Sequence, residues 1–302
     1  MADAAALDLP VRDARRERRI GIALVVAATL CFSVLDAGAK WLVQSLPVTQ
    51  VVWLRFVTHV PLMLLLLAPG RGGVVALVRT RSPRLQMLRA TMLVSMTGLN
   101  FWALQYLQLA ETGAMQFSVP VLIALMSAWW LGEHLSVQRW LAIVGGFAGV
   151  LLVVRPGTAA FHPAILLSVA NALIYAAFNL LTRRMAAEQE SPESMQLISA
   201  AGAALLMAPF ALAQWQWPAD VLTWGVVLLC GFTGGLGHQC LAMALRHASA
   251  AVLGPFLYQQ IVYMTLWGWL LFGQWPDTFV IAGALVVVGS GLYLLWLDVV
   301  RR

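Results

Sequence analysis

Long apolar runs alternate along this chain with short polar segments, and the polar segments hold most of the charge. A hydrocarbon core about 30 Å thick is crossed by roughly 20 residues in helical form, because a backbone in lipid has to satisfy its own hydrogen bonds. Ten runs meet this test, over residues 20–44, 48–68, 85–107, 109–131, 137–154, 163–185, 193–213, 221–246, 249–273 and 278–297. The third and fourth follow one another almost without interruption through residues 108–111, so the turn between them must be tight. The pattern predicts an all-α polytopic membrane protein with ten transmembrane helices.

Composition agrees. Of the 302 residues, 61% are apolar and only 11% charged, too few charges to cover a water-exposed globule of this length. Cys31, Cys230 and Cys240 sit inside apolar runs without metal-ligand spacing, so they read as small packing residues and imply neither a zinc site nor a disulfide framework. The net charge of +6 is scattered over inter-helix segments, which argues against nucleic acid as a partner. The first apolar run, about 25 residues long, exceeds the 7–15 residues of a cleavable signal core and lacks a small-residue cleavage site. It is expected to remain as the first span, preceded by a polar segment over residues 1–19.

Charge also predicts direction, since Lys and Arg near span ends collect on the cytoplasmic side. With an even number of spans both termini share one face. If that face is cytoplasmic it holds Arg12, Arg15, Arg16, Arg18, Arg19, Arg71, Arg79, Arg81, Arg84, Arg89, Arg139, Arg183, Arg184, Arg246, Arg301 and Arg302, which is 16 of the 19 basic residues. The other face keeps only Arg155, while Lys40 and Arg55 lie within spans. Adding or removing one span destroys this segregation, and a bacterial inner membrane with both termini cytoplasmic is the expected setting.

Five runs precede the connection over residues 155–162 and five follow it, with a faint match at an offset of about 141 residues. Ala114-Met115-Gln116 before the stretch ending Trp129-Trp130-Leu131-Gly132-Glu133 parallels Pro255-Phe256-Leu257 before the stretch ending Trp269-Leu270-Leu271-Phe272-Gly273-Gln274. The spans that follow are both aliphatic and punctuated by glycine, with Gly145, Gly146 and Gly149 against Gly283, Gly289 and Gly291; small residues let helices approach closely. An odd number of spans per half inverts the second copy, so the expected division is a first five-helix repeat over 20–155 and a second over 156–302. Carriers use such inverted repeats to alternate access to a midplane site.

On these features the chain resembles the drug/metabolite transporter superfamily, specifically its EamA-type ten-span members. The resemblance covers the chain after Arg19 and rests on the duplication, on Leu131-Gly132-Glu133-His134-Leu135, which is similar to the family's Leu-Gly-Glu-x-Leu signature, and on Pro120 and Pro255 in the two last-but-one spans. Gly273-Gln274 departs from that signature by replacing the acid with an amide. The resemblance implies a central cavity walled by both halves and a metabolite substrate. Within the family the aromatic- and amide-rich interior looks most like the YddG-type amino acid exporters.

Polar groups deep in a bilayer are costly and so mark candidate pathway positions, although many simply bond a neighbouring helix at about 0.6 kcal/mol on average. Asp36 and Lys40 stand four apart on one helical face and Arg55 enters the second span at comparable depth, which suggests one ion cluster, either self-neutralising and gating or in direct contact with substrate or protons. His59, one turn from Arg55, suits proton coupling or a simple interhelical contact. His238 is placed toward an inner mouth. The candidate substrate-binding set is Asn100, Trp102, Gln116, Asn171, Tyr175, Phe178, Tyr258, Gln259, Gln260 and Tyr263, in which amides and phenols could hold a zwitterion and aromatic rings its side chain. Asn179 lies one position round from the face shared by Asn171, Tyr175 and Phe178. Against a cavity role, Trp102 and Tyr106 could equally face lipid. Pro120, Pro255, Gly234 and Gly235 mark candidate hinges.

No nucleotide-binding motif is present, no catalytic constellation of acid, His or Ser at short spacing appears, and no cofactor or metal is implied. The expected function is a secondary transporter that exports neutral or aromatic amino acids. Carriage of another metabolite or drug (a vitamin, a nucleotide-like or a cationic compound) is the alternative, and a membrane-embedded enzyme the alternative from another class. The expected partners are a small-molecule substrate and the lipid bilayer, with an oligomeric state left open and compatible with a monomer.

Overall fold

A computed structural model describes residues 9–67, 74–131, 136–248 and 250–300. Residues 132–135 of the Leu-Gly-Glu-His-Leu ending, together with Arg71, Arg301 and Arg302, lie outside them. The described residues form thirteen helices, which make ten crossings. Spans one to three are α1 (Leu9–Leu42), α2 (Val48–Leu67) and α4 (Pro83–Leu104), with the short α3 (Val74–Val78) between the last two. The fourth span is divided into α5 (Leu109–Gln116) and α6 (Val119–Leu131), and α7 (Val137–Val154) is the fifth. In the second half α8 (Ile165–Ala187), α9 (Pro192–Ala213) and α10 (Val221–His247) are followed by a ninth span divided into α11 (Ala250–Leu257) and α12 (Gln260–Phe272), and by α13 (Thr278–Val300). Eight crossings are long and apolar enough to span by composition alone. The third carries Arg84, Gln86, Arg89 and Asn100, and the ninth is cut in two.

Local sequence explains where the helices start and stop. The tight turn at 108–111 is a capping box, in which the Gln108 N–H donates to the Glu111 carboxylate at 2.7 Å. Ser191 caps α9 by accepting from the Ser194 N–H at 3.1 Å, with Pro192 in the first turn, and Asp220 caps α10 by accepting from the Thr223 N–H at 2.7 Å. Span α1 begins well before the apolar run, so Arg15, Arg16, Arg18 and Arg19 extend it as an exposed basic helix on one face of the bundle. Arg89 differs from the other cations of that arginine-rich face, because its side chain is only 8% exposed inside the bundle.

Packing follows the internal repeat. Spans two and seven, four and nine, and five and ten meet their own equivalents, while span one packs on span eight as span six packs on span three. These crossings close on small residues. A methyl group at Gly149 would lie 2.9 Å from the Gly283 carbonyl oxygen, and one at Gly283 would lie 2.7 Å from that of Gly149, so α7 and α13 touch backbone to backbone. On α10, Gly231, Gly235 and Gly237 similarly admit Thr58, Leu62 and Phe32 from α2 and α1. Outward, Leu141, Phe147, Leu205, Phe210, Leu270 and Leu285 form part of a broad exposed apolar band suited to lipid.

Gly283→Val should therefore lower the melting temperature in detergent, with an overpacking cost of about 1–3 kcal/mol, since a backbone oxygen cannot step aside. Gly225→Ala is the control: nothing lies within 4 Å of its added methyl, and helix propensity should leave stability unchanged or raise it. Equal melting temperatures for the two variants would contradict the close crossing.

Candidate functional site

Both divided spans are interrupted at equivalent places. Phe117 and Ser118 separate α5 from α6, and Tyr258 and Gln259 separate α11 from α12, each pair 141 positions from its counterpart (258 − 117 and 259 − 118). The interruptions are tight turns that finish their own hydrogen bonds: the Ser118 N–H and hydroxyl donate to the Met115 carbonyl at 3.1 and 2.6 Å, and the Ile261 N–H donates to the Tyr258 carbonyl at 3.2 Å. The Phe117 and Tyr258 rings meet, with centroids 5.2 Å apart. Pro120 falls in the first turn of α6, where its missing N–H costs nothing, whereas Pro255 lies inside α11 shortly before its end. Pro61 and Pro209 also lie inside helices, but α2 and α9 continue through them unbroken.

Next to these turns a cavity of about 210 Å³ lies between the halves. Its wall takes Phe32, Leu35 and Asp36 from α1, Arg55 from α2, Met96, Thr97, Asn100 and Phe101 from α4, and Gln116 from the end of α5. The second half adds Asn171, Tyr175, Phe178 and Asn179 from α8, His238 and Leu241 from α10, and Gln260 at the start of α12. Asp36 accepts from the Asn100 amide at 3.0 Å, and Arg55 donates to the Thr97 hydroxyl at 2.9 Å. The two charged groups form no direct ion pair. Arg55 Nε and Asn100 Oδ1 are buried without partners, so a donor and an acceptor remain free beside the chamber.

The structure brings together Asp36, Arg55, Asn100, Gln116, Asn171, Tyr175, Phe178 and Gln260, and directs the other candidates elsewhere. Lys40 leaves the ion cluster: its ammonium donates to the Leu104 and Leu107 carbonyls at 3.0 and 2.6 Å, capping the end of α4, with Glu111 as its electrostatic counterpart. Trp102 is 50% exposed on the lipid side of the same helix. Gln259 donates to the Thr29 hydroxyl at 3.0 Å and ties the ninth span to the first, as Trp267 does through Ser33 at 3.1 Å. Tyr258 fits against Gly291 and borders an apolar groove on the α12–α13 flank, and Tyr263 is half-buried outside the chamber. His59 is buried behind the wall with both ring nitrogens unpartnered, 6.0 Å in ring centroids from His238. His238 lines the chamber itself. Gly234 faces Arg55 and Gly235 faces Leu62 and His59, so these glycines serve close packing around the charged groups.

Sequence reasoning passed over Thr97 and Phe101, which flank Asn100 at helical spacing, and over Leu241. A signal was available, because Thr97 and Asn100 map onto His238 and Leu241 at the repeat offset of 141 (238 − 97 and 241 − 100). All four line the chamber.

Away from the arginine-rich face Leu42, Val43, Leu46, Leu104 and Leu109 are buried together in one apolar cluster, where the Gln105 amide donates to the Val43 carbonyl at 2.9 Å. Beyond them the Gln50 amide donates to the Gln216 carbonyl at 2.6 Å while its oxygen accepts from the Gln216 N–H at 2.9 Å, joining the two halves. On the arginine-rich face the halves are joined by Glu190, whose carboxylate accepts from the Thr80 hydroxyl at 2.8 Å and from the Arg81 and Ser82 N–H groups at 2.6 and 2.9 Å. Desolvation pushes the Glu190 carboxyl up, but these bonds together outweigh it and hold it below its ordinary value.

Residues 19–155 and 162–296 each match the EamA-like transporter family. A pseudopaline exporter of Pseudomonas aeruginosa is 29% identical over 270 residues, covering 89% of this chain and 93% of that one. A riboflavin transporter of Vibrio cholerae is 27% identical, covering 91% and 92%, and an S-adenosylmethionine uptake transporter of Rickettsia bellii is 23% identical, covering 95% and 97%. A solved crystal structure superposes with a TM-score of 0.65 at 22% identity, over 92% of this chain and 96% of its own, and so shares the fold.

Two outcomes test the geometry. A carboxyl held below its ordinary value stabilises the fold fully above that value, 4.5, and loses its contribution as pH falls from there through the lower value it has in the fold. Thermal unfolding in detergent should show this loss in the wild type and a smaller one in Glu190→Gln; identical pH profiles would remove Glu190 from the joint. Lys40→Met leaves the Leu104 and Leu107 carbonyls without their donor and should increase thiol labelling of a cysteine placed at Val43, and unchanged labelling would contradict a sealing role.

Proposed function

Because this chain belongs to the EamA-like transporter family, we propose that it is a secondary carrier that moves a small zwitterionic metabolite by alternating access, with neutral and aromatic amino acids as the simplest members of the class. The observation that carries this reading is the pairing of Asp36 and Arg55 across one chamber without direct contact. Asp36 suits an ammonium and Arg55 a carboxylate, while Asn100, Asn171, Gln116 and Gln260 supply neutral hydrogen bonds that bind and release readily. Tyr175, Phe178, Phe32 and Phe101 offer ring surfaces to a side chain. The chamber, about 210 Å³, is smaller than the roughly 300–1,000 Å³ typical of drug-sized ligands, which favours an amino-acid-sized substrate.

In this reading the arginine-rich face is cytoplasmic and the membrane is a bacterial inner membrane, by the bias of cations toward the cytoplasm. The buried layer around Leu42, Val43, Leu46 and Leu104 is then the outer gate, and the half-buried His238, Leu241 and Asn179 look toward the cytoplasm. Export is the direction we carry forward, as in the relative named a pseudopaline exporter. The relatives named for riboflavin and S-adenosylmethionine favour a second reading, a larger metabolite held in a more open state of the same chamber.

Counterflow of labelled amino acids into liposomes containing the purified protein should exceed that into empty liposomes. Asp36→Asn and Arg55→Gln should each reduce it about tenfold or more, as expected for loss of a desolvated charge partner. Tyr175→Ala and Gln260→Ala should weaken it, and Trp102→Ala should not. Flux equal to empty liposomes for every amino acid, with flux of riboflavin or S-adenosylmethionine instead, would transfer the assignment to the second reading.

A further inference from the structure

The charges that line the chamber balance one another. Among the described residues Asp36 and Arg55 line it, and Lys40 is turned away toward carbonyls and Glu111. Arg89 changes the balance. It lies six residues into α4, about 9 Å from the start of the helix, and its side chain is 8% exposed. Its partners are all neutral: Nε donates to the Thr182 hydroxyl at 3.0 Å, and Nη1 donates to the Met195 carbonyl at 2.6 Å and the Ser199 hydroxyl at 2.7 Å. The guanidinium stacks on Phe178 with its carbon 4.4 Å from the ring centroid, and that ring is part of the chamber wall.

No counter-ion cancels a buried guanidinium satisfied only by neutral acceptors, and a low-dielectric surrounding transmits its field further than water does. Two cations, Arg55 and Arg89, therefore act on a space that holds one acid, Asp36. The remaining polar wall, made of amides, hydroxyls and the His238 imidazole, adds no negative charge that could cancel the excess.

Resting on the zwitterion reading above, we infer that Arg89 is a positioning residue that sets charge selectivity, so that the preferred substrates carry one more anionic than cationic group. One carboxylate and the ammonium engage Arg55 and Asp36, and a second carboxylate lies against the Phe178 side of the chamber in the field of Arg89. Cationic compounds are disfavoured by the same excess. A purely structural role for Arg89, holding α4 to α8 and α9, predicts no such dependence on substrate charge.

Glutamate and glutamine differ by one charge at nearly constant shape, and equilibrium binding of each in labelled form to the purified protein isolates that charge. Glutamate should bind about tenfold or more tighter than glutamine, with lysine weakest, the order expected of a net positive, poorly screened site. Arg89→Gln should bring the glutamate-to-glutamine ratio near one, and Arg89→Lys should restore most of it. The wild-type comparison requires no variant, so poor folding of Arg89→Gln leaves the test standing. Glutamine binding as tightly as glutamate, or a ratio that survives Arg89→Gln, would overturn the inference while leaving the carrier of zwitterions intact. Absence of binding by all three while phenylalanine or tryptophan binds would also overturn it; absence of binding by these as well would instead remove the zwitterion reading, and this inference with it.

Discussion

In a hydrocarbon core a helix can be interrupted only where the protein finishes the hydrogen bonds that water would otherwise accept, and the architecture of this bundle follows from where its two interruptions sit. The turns at Phe117-Ser118 and Tyr258-Gln259 close their own backbone bonds and face inward, with the Phe117 and Tyr258 rings in contact. Amides at the edges of these turns, Gln116 and Gln260, then reach the space between the halves. The remaining spans are held around it by close crossings at glycine, among them the backbone contact of Gly149 with Gly283. Lipid supplies no hydrophobic drive for one helix to seek another, so close approach and interhelical hydrogen bonds carry the association.

Polar residues in the spans divide accordingly into two kinds. Lys40, Gln259, Trp267 and Gln50 have their hydrogen bonds made by a neighbouring element, and each ties two segments of the bundle. Asp36, Arg55 and Asn100 are only partly satisfied and border the chamber, leaving Arg55 Nε and Asn100 Oδ1 unpartnered. The first kind sets the shape of the bundle and the second gives it chemistry. In lipid this distinction is sharp, because an unsatisfied polar group carries its full desolvation cost unless a neighbour or a ligand meets it.

Relatives at 23–29% identity over nearly the whole chain bear the names of chemically unlike solutes. One scaffold of two repeats thus accommodates different substrates, and specificity must rest on a few side chains and charges at the chamber wall. The repeat-related positions Thr97 and His238, and Asn100 and Leu241, illustrate how that happens: the duplication brings equivalent positions to the chamber, and divergence of the two copies makes its walls chemically unequal.

The residue order alone determined that the chain crosses a membrane ten times in two copies, because run length against bilayer thickness and an odd count per copy are one-dimensional facts. It also determined the face shared by Asn171, Tyr175 and Phe178, since helical spacing on a single span needs no partner. Which way each span turns about its own axis was decided only in three dimensions. Lys40, one turn from Asp36, points to the end of α4; Trp102, two residues from Asn100, faces outward; and Arg89, which reads as a surface cation, is drawn inside against Phe178. The physical reason is that a helix in lipid has no water-facing side to orient it, so its rotation is set by where neighbouring helices can approach and which of their carbonyls and hydroxyls need a donor.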